Sequence, residues 1–257
     1  MATIWARALP GIPDVREGDD LAELILAALG DERLCGEHVL AIAHTVVSKA
    51  EGAVVALSQV SPGEHARRLG AEAHKDPRAV QVVLEESAEV LRAERGVLIS
   101  RTHHGFVCAN AGVDLSNAAG PDTAVLLPRD PDASARRIRA RLRELAGERG
   151  TGDSAPAVLI SDTFGRAWRH GQTDVAVGLA GLQPLDDWRG RADADGLELR
   201  ATWLAVADAA AAAADLARAK DSREPVVIVG GLAQFVTVED GPGALALVRP
   251  LEEDLFA

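Results

Sequence analysis

Three short stretches gather side chains able to handle phosphate, carboxylate and hard metal ions. The first, His44-Thr45-Val46-Val47-Ser48-Lys49-Ala50-Glu51-Gly52, sets hydroxyls and a lysine beside a glycine. A lysine there can hold a nucleotide phosphate as a point charge; its competing use is an ion pair with Glu51. The second, Asn110-Ala111-Gly112-Val113-Asp114-Leu115-Ser116-Asn117, surrounds one carboxylate with small and amide residues. Magnesium and manganese take one or two protein carboxylates plus phosphate oxygens, so Asp114 is a candidate ligand. Its competing role is a turn aspartate that satisfies backbone N–H groups. The third stretch runs from Ser161-Asp162-Thr163 through Gly165-Arg166 and Arg169-His170-Gly171 to Asp174. Carboxylate, hydroxyl, arginine and histidine crowded between glycines make a poor core sequence and a good anion and metal site.

Composition narrows the chemistry further. The 257 residues suffice for one large domain or two small ones, and 47% hydrophobic with 26% charged residues is ordinary for a folded protein. The formal charge of -12 argues against nucleic acid or anionic membranes, whose binding draws on lysine and arginine. An anionic ligand must therefore be met by local positive groups. These are mostly arginines, because the only lysines are Lys49, Lys75 and Lys220. Cys35 and Cys108 form no CxxC or zinc pattern, and both are expected to be small buried residues. The first ten residues lack signal-peptide features and no apolar run approaches membrane-spanning length, so the chain is expected in the cytoplasm. Phosphate-loop, dinucleotide, zinc-protease and serine-hydrolase signatures are absent.

The elements that must position these stretches are mixed α and β, without a clean parallel-sheet pattern. Asp19-Asp20 precede a helix over Leu21 to Leu29. Val39 to Val47 reads as a buried strand, placing Ser48 and Lys49 at its end. Ser61-Pro62-Gly63-Glu64 has capping-box spacing, and Ala79 to Val90 suggests another helix. Val97 to Arg101, Phe106 to Cys108 and Ala124 to Leu127 read as strands. A helix over Ala133 to Leu145 carries Arg136, Arg137, Arg139, Arg141 and Arg143, expected on a solvated face. Ala157 to Ile160 is a short strand that delivers Ser161-Asp162-Thr163 at its carboxyl end. Trp203 to Lys220 reads as an alanine-rich helix and Val226 to Val229 as a strand. Gly147 to Ala155 is the best loop or subdomain junction.

These three stretches, in this order and with these gaps, resemble the coenzyme F420-0:L-glutamate ligase family. Gly11-Ile12-Pro13, Val83-Leu84-Glu85-Glu86-Ser87, Asp187-Trp188-Arg189-Gly190 and Val206-Ala207-Asp208 extend the likeness over essentially the whole chain. The resemblance implies a mixed α/β fold peculiar to that family, with two subdomains and an intertwined homodimer. Relatives with a further flavin-binding domain are longer; none is expected within residues 1–257. It also implies GTP as co-substrate, two Mg2+ or Mn2+ ions per site, and K+ as a candidate further ion. Carried across, Ile12, Pro13, Asp14, Val15, His44 and Thr45 would line the GTP site, with Lys49 and Asn117 touching the nucleotide. Asp114 and Asp162 would hold one metal and Thr163 would contact a second. His44 departs from the serine or other small residue common at its position.

A larger departure is Leu216-Ala217-Arg218-Ala219-Lys220, where relatives often place an acidic or amide residue near the second metal. Either Lys220 supplies positive charge to the phosphates there, or Asp221 swings in as a ligand, or Lys220 only complements the helix dipole. The implied reaction is attack of the F420-0 carboxylate on the γ-phosphate of GTP, then displacement of phosphate by the amine of L-glutamate. Residue chemistry, apart from the resemblance, offers Arg166 and Arg169 as anchors for substrate carboxylate or phosphate. Two alternatives stay open: the same chemistry on another carboxylate, and a degenerate nucleotide-binding partner subunit.

Overall fold

A sheet whose strands are apolar on both faces must be covered on both, and that requirement organises most of this chain. The computed structural model describes residues 3–32, 34–115, 122–148 and 155–253. The strands are β1 (Trp5–Ala8), β2 (Val39–Ala43), β3 (Val54–Ala56), β4 (Ser87–Glu94), β5 (Val97–Thr102), β6 (Val107–Ala109), β7 (Thr123–Val125), β8 (Ala157–Arg166), β9 (Arg169–Ala180), β10 (Leu185–Asp187), β11 (Trp203–Ala205) and β12 (Val226–Gly230). The helices are α1 (Leu21–Leu29), α2 (His44–Ala50), α3 (Glu64–Ala73), α4 (Pro77–Glu85), α5 (Pro131–Glu148) and α6 (Val206–Ala217). The largest sheet has the order β1-β12-β2-β8-β9, with β2 and β8 parallel and the other neighbours antiparallel.

Strand alternation divides the core into two layers. Leu40 and Ile42 of β2 join Val158 and Ile160 of β8 in a cluster with Ile25 of α1 and Leu142 of α5. Val39, Ala41, Ala157 and Leu159 face the other way, onto Ala207, Ala210, Ala211 and Ala214 of α6. A methyl group is too small to hold the helix off, so α6 lies close against the sheet. Each large aliphatic side chain buried this way contributes about 1.5–3 kcal/mol. Residues 57–124 gather a separate core around Leu57, Leu69, Val80, Val83, Leu98 and Val113.

Helix α1 begins where the sequence places it, with the Asp20 carboxylate accepting from the Ala22 and Glu23 backbone N–H groups. Other boundaries move. The run from Val39 is a strand only to Ala43, and His44–Ala50 is helix α2. Val46 and Val47 favour strands, but as helix residues both reach the core, and that burial outweighs propensity. The helix expected after Ser61-Pro62 starts at Glu64, because Gly63 donates its N–H to Gln81 Oε1 at 2.9 Å and no side chain caps it. Helix α4 stops at Glu85, and from Ser87 the chain pairs with β5. Trp203–Ala205 pairs with Leu185–Asp187 before α6 begins. The junction expected at Gly147 to Ala155 falls mostly outside the described residues. Cys108 is buried as expected, but Cys35 is exposed.

The arginine row on α5 is not uniformly solvated. Arg139 is 2% exposed and donates to the carbonyls of Pro156, Thr237, Val238 and Glu239 and to Asp240 Oδ1 at 2.9 Å. Gly181, at φ +74, makes room: a Cβ there would fall 2.1 Å from Arg139 Cζ. Arg139→Met should orphan several carbonyls at once and lower stability by ~3 kcal/mol or more. The urea midpoint measures this; a variant within roughly 1 kcal/mol of wild type would mean that residues 237–240 find other donors.

Candidate active site

The parallel strands β2 and β8 end side by side, with Ala43 opposite Ser161. Open α/β sheets place ligands outside the carboxyl ends of such strands. Here the chain leaves β2 straight into α2, while β8 runs on as one arm of a hairpin with β9. Between them lies a cleft of about 650 Å3. Five parts of the chain line it: Ile12, Pro13, Asp14 and Val15; His44, Thr45 and Lys49 of α2; Asp114; Ser161, Asp162 and Thr163 of β8; and Arg218, Lys220, Arg223 and Glu224 after α6.

Lys49 lies in the last turn of α2, and the ion pair with Glu51 does not form, because Glu51 pairs with Arg137. Among the described residues Lys49 has no carboxylate within ion-pair distance, so its charge stands available to the cleft. Asp162 Oδ1 accepts from the Thr163 N–H at 2.7 Å and lies 3.3 Å from His44 Nε2. His44 is 3% exposed, and its Nδ1 has no partner among the described residues. Cys108 lies near enough to feel the Asp162 charge: burial first, and then that charge, push its thiol up to about 12.

The other side of the cleft is built on Asp174, which has no exposed surface. Its carboxylate accepts from Ser161 Oγ at 2.8 Å and Thr163 Oγ1 at 2.7 Å. Arg218 pairs with it closely and also donates to the Pro225 carbonyl at 3.1 Å. Burial pushes the Asp174 carboxyl up, but Arg218, the two hydroxyls and Lys220 outweigh it and hold the group below the usual carboxylate range. Lys220 Nζ donates to Asp215 at 2.7 Å and to Thr163 Oγ1 at 3.1 Å, and lies 3.7 Å from Asp174. Arg218 leaves the helix in an extended conformation, at φ -122 and ψ 139, which turns both cations back over the hairpin.

Among the described residues, Asp114 and Asp162 suit one hard cation. Asp114 and Asp162 offer carboxylate oxygens to the same cleft, and no cage of three or more His, Cys, Asp or Glu side chains exists among the described residues. That suits magnesium or manganese, which keep water and complete their shell with substrate phosphate. The Thr163 hydroxyl is spent otherwise: it donates to Asp174 and accepts from the Lys220 ammonium, which occupies the space beside it. Asp221 is exposed and does not line the cleft.

Several expected residues thus converge and others do not. Ile12 to Val15, His44, Thr45, Lys49, Asp114, Asp162, Thr163 and Lys220 share the cleft, whereas Asn117 lies outside the described residues. Arg166 and Arg169 face each other at the tip of the β8–β9 hairpin, where Arg166 Nη2 donates to the His170 carbonyl at 2.6 Å, and neither lines the cleft. Ala167 and Trp168 form the turn, and Gly165 and Gly171 lie in the strands on either side of it. Sequence reading overlooked the roles of Asp174 and Arg218. The apolar run from Val175 to Ala180 marks a buried strand, and a carboxylate opening such a strand needs a cation.

A carboxylate-bearing side facing lysine and arginine across one cleft, at the ends of parallel strands in a mixed α/β sheet, defines an enzyme-type site. The F420-0:Gamma-glutamyl ligase family profile matches residues 11–231, and the chain belongs to that family. It is 44% identical over 249 residues to the coenzyme F420:L-glutamate ligase of Methanothermobacter thermautotrophicus, covering 96% of each chain. With the enzyme of the same name from Methanopyrus kandleri it shares 43% identity over 258 residues, covering 100% of this chain and 98% of that one. The Haloarcula marismortui enzyme is 40% identical over 255 residues, 96% and 93% of the two chains. No helix of the described residues is long and apolar enough to cross a membrane.

Arg218→Met should destabilise the fold by about 3 kcal/mol, the cost of leaving a buried carboxylate short of its main partner. The sign follows from the depressed Asp174 pKa. The stabilisation it represents is present above the unfolded carboxyl value and is lost as pH falls through the folded one. Urea midpoints should therefore differ most near neutral pH and converge on acidification. A deficit that grows toward acid would show that Asp174 is not the group Arg218 supports.

Proposed function

We propose that this cleft joins L-glutamate to F420-0 with GTP as phosphoryl donor. The observation that carries the reading is the meeting of Asp114, Asp162, Lys49 and Lys220 around one space; the names of the relatives support it. An acceptor carboxylate oxygen attacks the γ-phosphorus, the bridging P–O bond breaks, and GDP leaves with its electrons. The amine of glutamate then attacks the acyl carbon, the bond to phosphate breaks, and the nitrogen loses a proton as the amide forms. Phosphoryl transfer of this kind needs in-line positioning and neutralisation of negative charge. Lys49 meets the nucleotide phosphates from α2, and Lys220 meets spreading charge from the opposite side, where the Asp174–Arg218 pair holds the chain in place. Mg2+ or Mn2+, held by Asp114 and Asp162, supplies further neutralisation at the phosphates when bound. Lys220 takes the place of a second divalent ion, and two chains associate as a homodimer.

Incubation with F420-0, GTP, Mn2+ and L-glutamate, followed by mass spectrometry, should show F420-0 gaining a glutamyl residue and GTP becoming GDP. Product with a different carboxylate alone would make the acceptor another molecule. Absence of product and of GTP turnover would leave a nucleotide-binding partner subunit.

Asp162→Asn keeps size and most hydrogen bonding but removes the charge a hard dication needs. Turnover should fall on the order of a hundredfold, as for loss of one preorganised electrostatic group, and recover in part at higher Mn2+. Retention of more than about a third of the activity at limiting metal, a loss under 1 kcal/mol, removes Asp162 from the metal site. Mn2+ titration followed by electron paramagnetic resonance with GTP present should find one tight site per chain. Two equal sites would show that Lys220 yields to a second ion.

A further inference from the structure

A second cavity, of about 490 Å3, lies on the far side of Asp162 and is not used by the chemistry above. Its lining includes Phe106, Val107, Phe164, Val248, Arg101 and Arg249. Asp162 and Phe164 are two residues apart on β8, so they share a strand face about 7 Å apart. One points into the first cleft and the other into this cavity. The two spaces are therefore successive stations along one strand.

The chemistry of the second station differs from that of the first. Phe106 and Phe164 meet edge to face with ring centroids 6.3 Å apart, and His104 stacks on Phe106 at 5.8 Å. Phe106 is 7% exposed and fixed, whereas Phe164 is only half-buried and leaves ring surface open to a ligand. Two guanidiniums border this aromatic surface. Arg101 Nε is buried without a hydrogen-bond partner among the described residues, and its closest carboxylate, Glu89, is 4.0 Å from Nη2. Arg249 is exposed and has no ion-pair partner among the described residues. An aromatic floor edged by the Arg249 guanidinium, unpaired among the described residues, and the loosely paired Arg101 selects a flat ring system that carries negative charge.

We propose that this cavity is the acceptor subsite: it holds the deazaflavin ring of F420-0, and the carboxylate-bearing tail runs along β8 to Asp162. The inference rests on the ligase reading for the identity of the acceptor, but its binding test does not need turnover. Phe164 stacks on the ring, Arg249 meets its negative charge, and together they set acceptor affinity without touching the nucleotide.

The test is quenching of deazaflavin fluorescence on titrating F420-0 with the full chain, without GTP or metal, for wild type, Phe164→Ala, Phe164→Tyr and Arg249→Ala. Loss of the stacking ring in Phe164→Ala should weaken F420-0 binding about fivefold to a hundredfold. Phe164→Tyr should restore it, and Arg249→Ala should weaken it several-fold. The KM for F420-0 should rise in parallel while GTP affinity with Mn2+ and the mass by light scattering stay unchanged. Unchanged F420-0 affinity in both alanine variants overturns the proposal. So does a change of oligomeric state with an equal loss of GTP affinity, which would make the cavity an interface between copies. If wild type forms glutamylated product while the variants keep their acceptor affinity, the subsite fails and the ligase reading stands. If wild type binds F420-0 in this cavity but forms no product, the reverse holds. If it does neither, the cavity has no deazaflavin ligand and the proposal falls.

Discussion

Asp174 carries its charge with no exposed surface, and a buried carboxylate is tolerated only when cations and hydrogen-bond donors replace its water. Its partners come from separate parts of the chain. Ser161 and Thr163 belong to β8, Arg218 and Lys220 follow α6, and Arg218 also holds the Pro225 carbonyl just before β12. One ion thus ties the β8–β9 hairpin, the end of α6 and the entry to β12 at a single point. The register shift between Ile160 and Ser161 lies beside it, where the sheet changes from core to site. Remove the charge balance at Asp174 and one side of the cleft loses its reason to be where it is.

That balance also explains how a chain of net charge -12 can meet an anion. The overall field repels anions, so the cleft relies on a few cations at short range, where they outweigh distant charge screened by salt. Arg218 is committed to Asp174 and acts as a fixed pillar. Lys220 reaches Thr163 and Asp215 from a more exposed position, and Lys49 approaches from α2. Asp114 and Asp162 supply the opposite sign, so both signs of charge line one space. Strand β8 joins this polar space to the aromatic cavity through Asp162 and Phe164, two residues apart on one face, so one rigid element sets the distance between the two.

Much of this was legible in the chain alone. Apolar runs located the central strands, Asp20 announced α1, and the three polar stretches named much of one side of the cleft, because composition and spacing are local properties. Resemblance extended over nearly the full length and pointed to the family that the profile match shows. Tertiary structure decided what local pattern could not. Val46 and Val47 became helical because that placement buries them. Arg139 left the solvated face because the carbonyls of residues 237–239 and the Asp240 carboxylate, about a hundred positions away, needed donors. Arg166 and Arg169, chemically apt, ended at a hairpin tip because β8 and β9 pair through the glycines. The partnership of Asp174 with Arg218 spans 44 residues, and no local periodicity encodes a pairing formed only when strand and helix end meet. Sequence determined which chemistries were available, and the long-range packing of the sheet against α6 decided which of them share one cleft.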